Sequence, residues 1–229
     1  MFCINFFNIH SFTHSNIHSL VMNEHLENLK EIRSLMERSS KFLSLSGLSG
    51  ISAGVCALLG AWYAHQKIHI EGLYLLFDPT VRQEVVPLLL VDALLVLVGA
   101  LFFGILFTIR KSRKQGLNVW NSTSKRLLFS MLVPLFAGGI FCLGLLYNGF
   151  FWICFPATLV FYGVALVNAS KYTVHDTYYL GLGEIILGLI SLFLARWNLI
   201  FWAMGFGVFH IIYGTVMYFK YDMDSKKSE

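Results

Sequence analysis

The sequence predicts an all-α fold, a polytopic transmembrane bundle of six spans arranged as three antiparallel hairpins with both termini inside. Three observations carry that prediction. The 229 residues are 56% hydrophobic and 13% charged, and a water-soluble domain carries about twice that share of charge. Six long apolar runs recur along the chain. The basic residues fall on alternate connections rather than on all of them.

The runs are approximately 42–65, 85–109, 127–147, 150–169, 178–195 and 199–219. A helix rises 1.5 Å per residue, so about 20 residues cross a hydrocarbon core of roughly 30 Å. The runs are continuously apolar, whereas the strands of a membrane barrel alternate apolar and polar residues in segments of about ten. The connections at Asn148-Gly149 and Arg196-Trp197-Asn198 are short, so their flanking spans are expected to be antiparallel neighbours. The longest connection, 67–84, holds Asp78-Pro79, an N-cap followed by a proline at the first helical position, with Pro87 then restarting or kinking the span.

Threading with the N-terminus inside collects Lys30, Arg33, Arg38 and Lys41 before the first span and six residues from Arg110 to Arg126 after the second. Lys171, Lys220, Lys226 and Lys227 join them, and only Lys67, Arg82 and Arg196 fall outside. The short cytoplasmic loops of membrane proteins carry such an excess of Lys and Arg. The net charge of +4 is thereby assigned to topology and needs no nucleic acid as partner.

The remaining segments are distinct in character. Residues 1–21 contain no Lys, Arg, Asp or Glu and lack the three regions of a signal peptide. They read as a non-native or disordered leader ahead of a start at Met22. Residues 22–41 form an amphipathic pattern, with Asn23 as N-cap and Leu26, Leu29, Ile32 and Met36 on one face. This face is expected on a cytoplasmic helix and is the candidate docking surface for a protein partner. Residues 42–219 are the membrane domain and 220–229 a polar tail.

Ionisable groups inside spans are costly and point to function. Three are present: Asp92 in the second span, Glu184 in the fifth and His210 in the sixth. Together they form a candidate polar relay, with Glu184 and His210 within a turn or two of each other. Asp92 joins them only if the second span packs on the sixth. Ser46, Gly50 and Gly54 form a small-residue face in the first span, the pattern of close helix packing. Gly47-Leu48-Ser49-Gly50 copies the short serine motif of rhomboid proteases. In that family the serine belongs to the fourth span, and the Trp-Arg and His-Asn motifs that accompany it are missing here. No catalytic residue is therefore assigned.

No phosphate-binding loop, dinucleotide fingerprint, HExxH or CxxC pattern occurs, so no metal or cofactor is expected. His175-Asp176 is a weak ligand pair, and Asp176 is expected to cap the fifth span. Cys142 and Cys154 fall near the same end of one hairpin. Phe161-Tyr162-Gly163 and Ile212-Tyr213-Gly214 lie 51 residues apart, and related pairs at Phe151-Trp152 and Phe201-Trp202 lie 50 apart, the pattern of a duplicated hairpin.

The run Asn28–Phe42 leading into Leu45–Gly54 resembles uncharacterised six-span integral membrane proteins of bacteria. The resemblance extends toward the C-terminus and implies a bacterial cytoplasmic-membrane location, with no activity attached. The expected role is a non-enzymatic accessory or signalling component in the lipid bilayer. The alternatives are a small proton-linked transporter or channel, and then an intramembrane enzyme. Oligomeric state is left open. Under the threading above, alkaline phosphatase fused after Glu229 is inactive and a fluorescent protein fused there is bright. An active phosphatase would reverse the orientation.

Overall fold

The computed structural model describes residues 46–75, 79–114, 116 and 119–223, all within the compact unit 42–229. The side chains of residues 69–75 and 79–82 are not described. The leader, the amphipathic face Leu26, Leu29, Ile32 and Met36, and Asp78 lie outside the described residues.

The described residues form six long helices: α1 (Gly47–Leu75), α2 (Pro79–Lys114), α3 (Ser122–Tyr147), α4 (Phe151–Ala169), α5 (Asp176–Phe193) and α6 (Ala195–Asp222). Each is long and apolar enough to cross a membrane, and no strand occurs among the described residues. The first two helices reach further than the apolar runs. Nothing in Ile68–Leu75 breaks a helix, so α1 continues past the hydrophobic stretch, and α2 begins at Pro79 and runs through Pro87. Proline interrupts backbone pairing, but membrane helices tolerate it where neighbours re-satisfy the freed groups. α3 starts at a reciprocal cap. The Ser124 amide donates to Asn121 Oδ1 at 2.8 Å, and the Asn121 amide donates to Ser124 Oγ at 3.0 Å.

The helices are unequal in their surroundings. α1, α4, α5 and α6 bury a third or so of their most apolar stretch, whereas α2 and α3 bury 6% of theirs. α2 packs along α1 and α3 along α4, and the two do not pack along each other. The most extensive remaining contacts are α4 with α5 and α1 with α6. α5 therefore leans on α4 more than on its sequence neighbour α6.

Small residues allow the closest approaches. Gly47, Gly50 and Gly54 of α1 meet Gly214 and Gly207 of α6, backbone against backbone. A methyl group on Gly214 would lie 2.5 Å from the Ile51 nitrogen and 2.6 Å from the Gly47 oxygen. Gly163 and Gly181 make the equivalent crossing of α4 and α5. Such contacts let dispersion and weak Cα–H···O attractions accumulate where lipid offers no hydrophobic drive.

One end of the bundle is fastened by charge. Asp222 Oδ2 accepts from the Gly47 amide at 3.0 Å and from Ser46 Oγ at 3.3 Å, while Asp222 Oδ1 pairs with Lys111 Nζ at 2.6 Å. A carboxylate at a helix N-terminus satisfies orphan amides and complements the dipole. Ser46 thus meets α6 through a carboxylate, beside the glycines of the same seam. At the same end Asp176 does not cap α5. Its carboxylate accepts from Lys220 Nζ and Tyr221 Oη, both at 2.9 Å, and the preceding residue, His175, makes no side-chain cap. An available ammonium and phenol outcompete the local amides for those oxygens.

Gly214→Ala is expected to lower thermal stability in detergent, because overpacking a backbone crossing costs about 1–3 kcal/mol. Gly139→Ala, where a methyl meets nothing within 4 Å, gains helix propensity and is expected to raise it. Thermal unfolding of both variants reads the opposite signs, and equal effects would remove the crossing from the account.

Candidate functional site

The interior of the bundle places an acid beside an imidazole. Glu184 of α5 is 0% exposed and His210 of α6 is 6% exposed. His210 Nδ1 lies 3.5 Å from Glu184 Oε1. Neither carboxyl oxygen of Glu184 has a hydrogen-bond partner among the described residues.

The local chain conformation builds this pairing. Residues Ala203–Phe209 form a π-helix within α6, and wide turns of this kind recur at functional positions. The glycines of Ala-Met-Gly-Phe-Gly weaken the ordinary α-helical preference. Gly205 has a second purpose, since any side chain there would collide with Glu184 Oε2. Its carbonyl is turned toward His210, whose Nδ1 lies 3.1 Å away.

These contacts fix the tautomer. The Gly205 carbonyl can only accept, so Nδ1 carries a proton. In the neutral imidazole Nε2 is then bare. Tyr162 Oη of α4 stands 2.7 Å from it and donates to it. Three helices thus contribute one chain: Glu184, the His210 ring, and the Tyr162 hydroxyl. The Glu184–His210 pair has no net charge either as acid with imidazole or as carboxylate with imidazolium. Adding one proton makes the pair a cation.

An aromatic sheath surrounds the ring. His210 stacks at 18° on Phe206 with centroids 6.1 Å apart, Tyr162 lies 5.0 Å from Phe206, and Trp202 lies 4.9 Å from Phe206. These rings exclude water from one side. The other side faces a cavity of about 160 Å³ lined from all six helices, including Tyr162, Thr177, His210 and Tyr213. Thr177 Oγ1 and Tyr213 Oη share one hydrogen bond of 2.9 Å.

Asp92 stands apart from this chain. It lines two other cavities, one against Leu146, Phe151 and Trp202, the other against Cys56, Gly60 and Tyr63. α2 is held against α1, and Asp92 does not line the His210 cavity. The structure therefore joins two of the three intramembrane groups and leaves the third elsewhere. Ser49, in the serine motif of α1, donates its hydroxyl to the Ser46 carbonyl, as Ser52 does to that of Ser49. Cys142 and Cys154 are free thiols, with Cys154 Sγ 3.7 Å from the Cys142 carbonyl. Among the described residues no three His, Cys, Asp or Glu side chains converge on one point.

A second buried network sits at the far end of α5. Ser191 Oγ donates to Asn198 Oδ1 at 2.7 Å, and Asn198 Nδ2 donates to the Trp152 carbonyl at 2.8 Å. Ser191 and Asn198 are both 0% exposed. This network ties the α5–α6 turn to α4 and so sets the height of His210 against Tyr162. Sequence reading passed over Asn198 as part of a connection. It also passed over Tyr162 and Tyr213 as chemistry, although both stand in the repeated aromatic-Tyr-Gly pattern. No protein-family model, curated protein or solved structure matches the chain.

Proposed function

We propose that the protein is a non-enzymatic, multi-pass membrane protein that links protonation to movement of a solute, a small transporter or channel. One observation carries this reading: a buried carboxyl–imidazole pair, 3.5 Å apart, beside an interior cavity bordered by all six helices. Buried ionisable groups in a bilayer are expensive, and a chain that spends only packing gains on them is better served by apolar side chains. A relay that accepts and returns a proton gives those groups a purpose.

The cycle uses this chain's own groups. A proton arriving at the pair resides on Nε2 of His210, and the Tyr162 hydroxyl then turns from donor to acceptor. Loss of the proton restores the original bond. The change alters a hydrogen-bonding group on the cavity wall and so couples occupancy of the cavity to charge on the pair. The basic residues on one side of the threading and the resemblance to bacterial six-span proteins support a bacterial cytoplasmic membrane with both termini inside. An accessory or signalling role would rest on the face Leu26, Leu29, Ile32 and Met36, outside the described residues.

The test is proton movement in liposomes carrying the full chain and an internal pH dye. An imposed potassium-diffusion potential is expected to drive proton entry, reduced at least tenfold by Glu184→Gln and by His210→Gln. Asp92→Asn is expected to stay within twofold of the unaltered chain. Flux no greater than in empty liposomes, or equal flux in all variants, would contradict the reading.

A further inference from the structure

The cavity beside His210 has a chemistry narrow enough to name its ligand. Its volume is about 160 Å³, close to that of an engineered protein cavity of about 150 Å³ that holds benzene. The space accepts one six-membered ring. Among the described residues no Lys, Arg, Asp or Glu lines it, so while the His210 ring is neutral a charged head would enter without a counter-ion in a medium where that is costly.

The polar wall is built of donors. Thr177 and Tyr213 share one hydrogen bond, and whichever hydroxyl donates in it, the other keeps a proton to give. Tyr162 is a conditional second donor. Its proton is held by Nε2 while the His210 ring is neutral. When both ring nitrogens carry protons, the hydroxyl accepts from Nε2 and its own proton is free for the cavity. The groups facing His210 are Glu184 from α5 and Tyr162 from α4, with Tyr213 on its own helix. The wall from α1 is Ser46, Ser49, Gly50 and Ala53, and that from α2 and α3 is likewise without ionisable groups.

The cavity also has a side facing lipid. Ala100 and Gly104 of α2 and Leu127 and Met131 of α3 line it, yet α2 and α3 do not pack along each other. A methyl group on Gly104 would meet nothing within 4 Å. The flanking side chains, among them Phe102, Ile105, Leu128 and Phe129, are large, apolar and exposed. A slot whose α2 side is made of small residues, between two lipid-facing helices, passes an apolar tail.

We propose that this cavity binds an uncharged, ring-sized head group bearing two oxygen acceptors on an apolar tail, the chemistry of a quinone, admitted from the bilayer between α2 and α3. The inference rests on the proposed role of the same site and adds its ligand. Binding alone is inferred, with no electron transfer. Protonation of His210 raises the number of donors offered from one to two, so such a ligand binds more tightly as the pair gains its proton. An occupied cavity in turn holds that proton, by the reciprocity of linked equilibria.

The experiment is equilibrium binding of a decyl-tailed benzoquinone to the full chain in lipid nanodiscs, measured against protein-free discs from pH 8 to pH 5. One saturable site is expected, with affinity rising at least fivefold as pH falls. Gly104→Leu, which fills the slot, and the double variant Thr177→Val with Tyr213→Phe, which removes the shared donor, are each expected to weaken binding about tenfold. Tyr162→Phe is expected to abolish the pH dependence, and Gly139→Leu, facing open space on α3, to leave binding unchanged. At pH 8 decyl phosphate is expected not to compete. Absence of saturable binding, equal competition by decyl phosphate at pH 8, or unchanged binding in Gly104→Leu and in the Thr177→Val, Tyr213→Phe double variant would overturn the proposal. Loss of the ligand with Glu184-dependent proton flux intact rejects the ligand alone, whereas saturable binding without flux rejects the transport role alone.

Discussion

A buried carboxyl group and a buried imidazole held 3.5 Å apart constrain everything packed around them. In a low-dielectric interior an unpaired charge costs far more than a pair repays, so the two groups have to stay together or both be neutral. Keeping them together fixes the relative height of α5 and α6. It also demands a position without a side chain at Gly205, where Glu184 Oε2 takes the space. The π-helical turn Ala203–Phe209 meets both demands. It supplies the bare position and turns the Gly205 carbonyl onto His210 Nδ1.

The rest of the bundle reads as support for that geometry. Gly163 against Gly181 draws α4 close enough to α5 for Tyr162 to reach the ring. Gly214 against Gly47 and Gly50 draws α6 onto α1 at the opposite face. Asn198 holds one end of α6 to α4, and Asp222 holds its other end to α1 and α2. α6 is thus clamped at both ends while its middle carries the irregular turn. The hydrogen bonds involved are individually small, about 0.6 kcal/mol on average between membrane helices, so their value lies in fixing register.

Hydropathy made the six helices legible because lipid leaves the backbone no alternative to satisfying itself. The ends were less legible. The α1 helix runs past its apolar stretch because nothing polar stops a helix, and Asp176 left its expected cap for Lys220 and Tyr221, 44 and 45 residues away, whereas the early start of α2 was marked by Pro79. Glu184 and His210 could be marked from the sequence as ionisable groups within spans, and their neighbouring spans put them within one or two turns of each other. Asp92 carried the same marks, and only the packing of α2 on α1 separates it from the pair. Tyr162 and Tyr213 are ordinary in a chain with 10 Tyr. The repeated Tyr-Gly pair was their one sequence signal, and both members prove to combine a cavity hydroxyl with a glycine crossing. The π-turn has no sequence signature beyond its glycines.

The account turns on which nitrogen of His210 carries the proton, because the Tyr162 switch follows from it. Nitrogen-15 NMR of the histidine-labelled full chain in lipid reads this directly, with the His210→Gln spectrum assigning the signal. At a pH where the ring is neutral, the account predicts a protonated Nδ1 and a bare, hydrogen-bonded Nε2. A neutral ring protonated at Nε2 would contradict it.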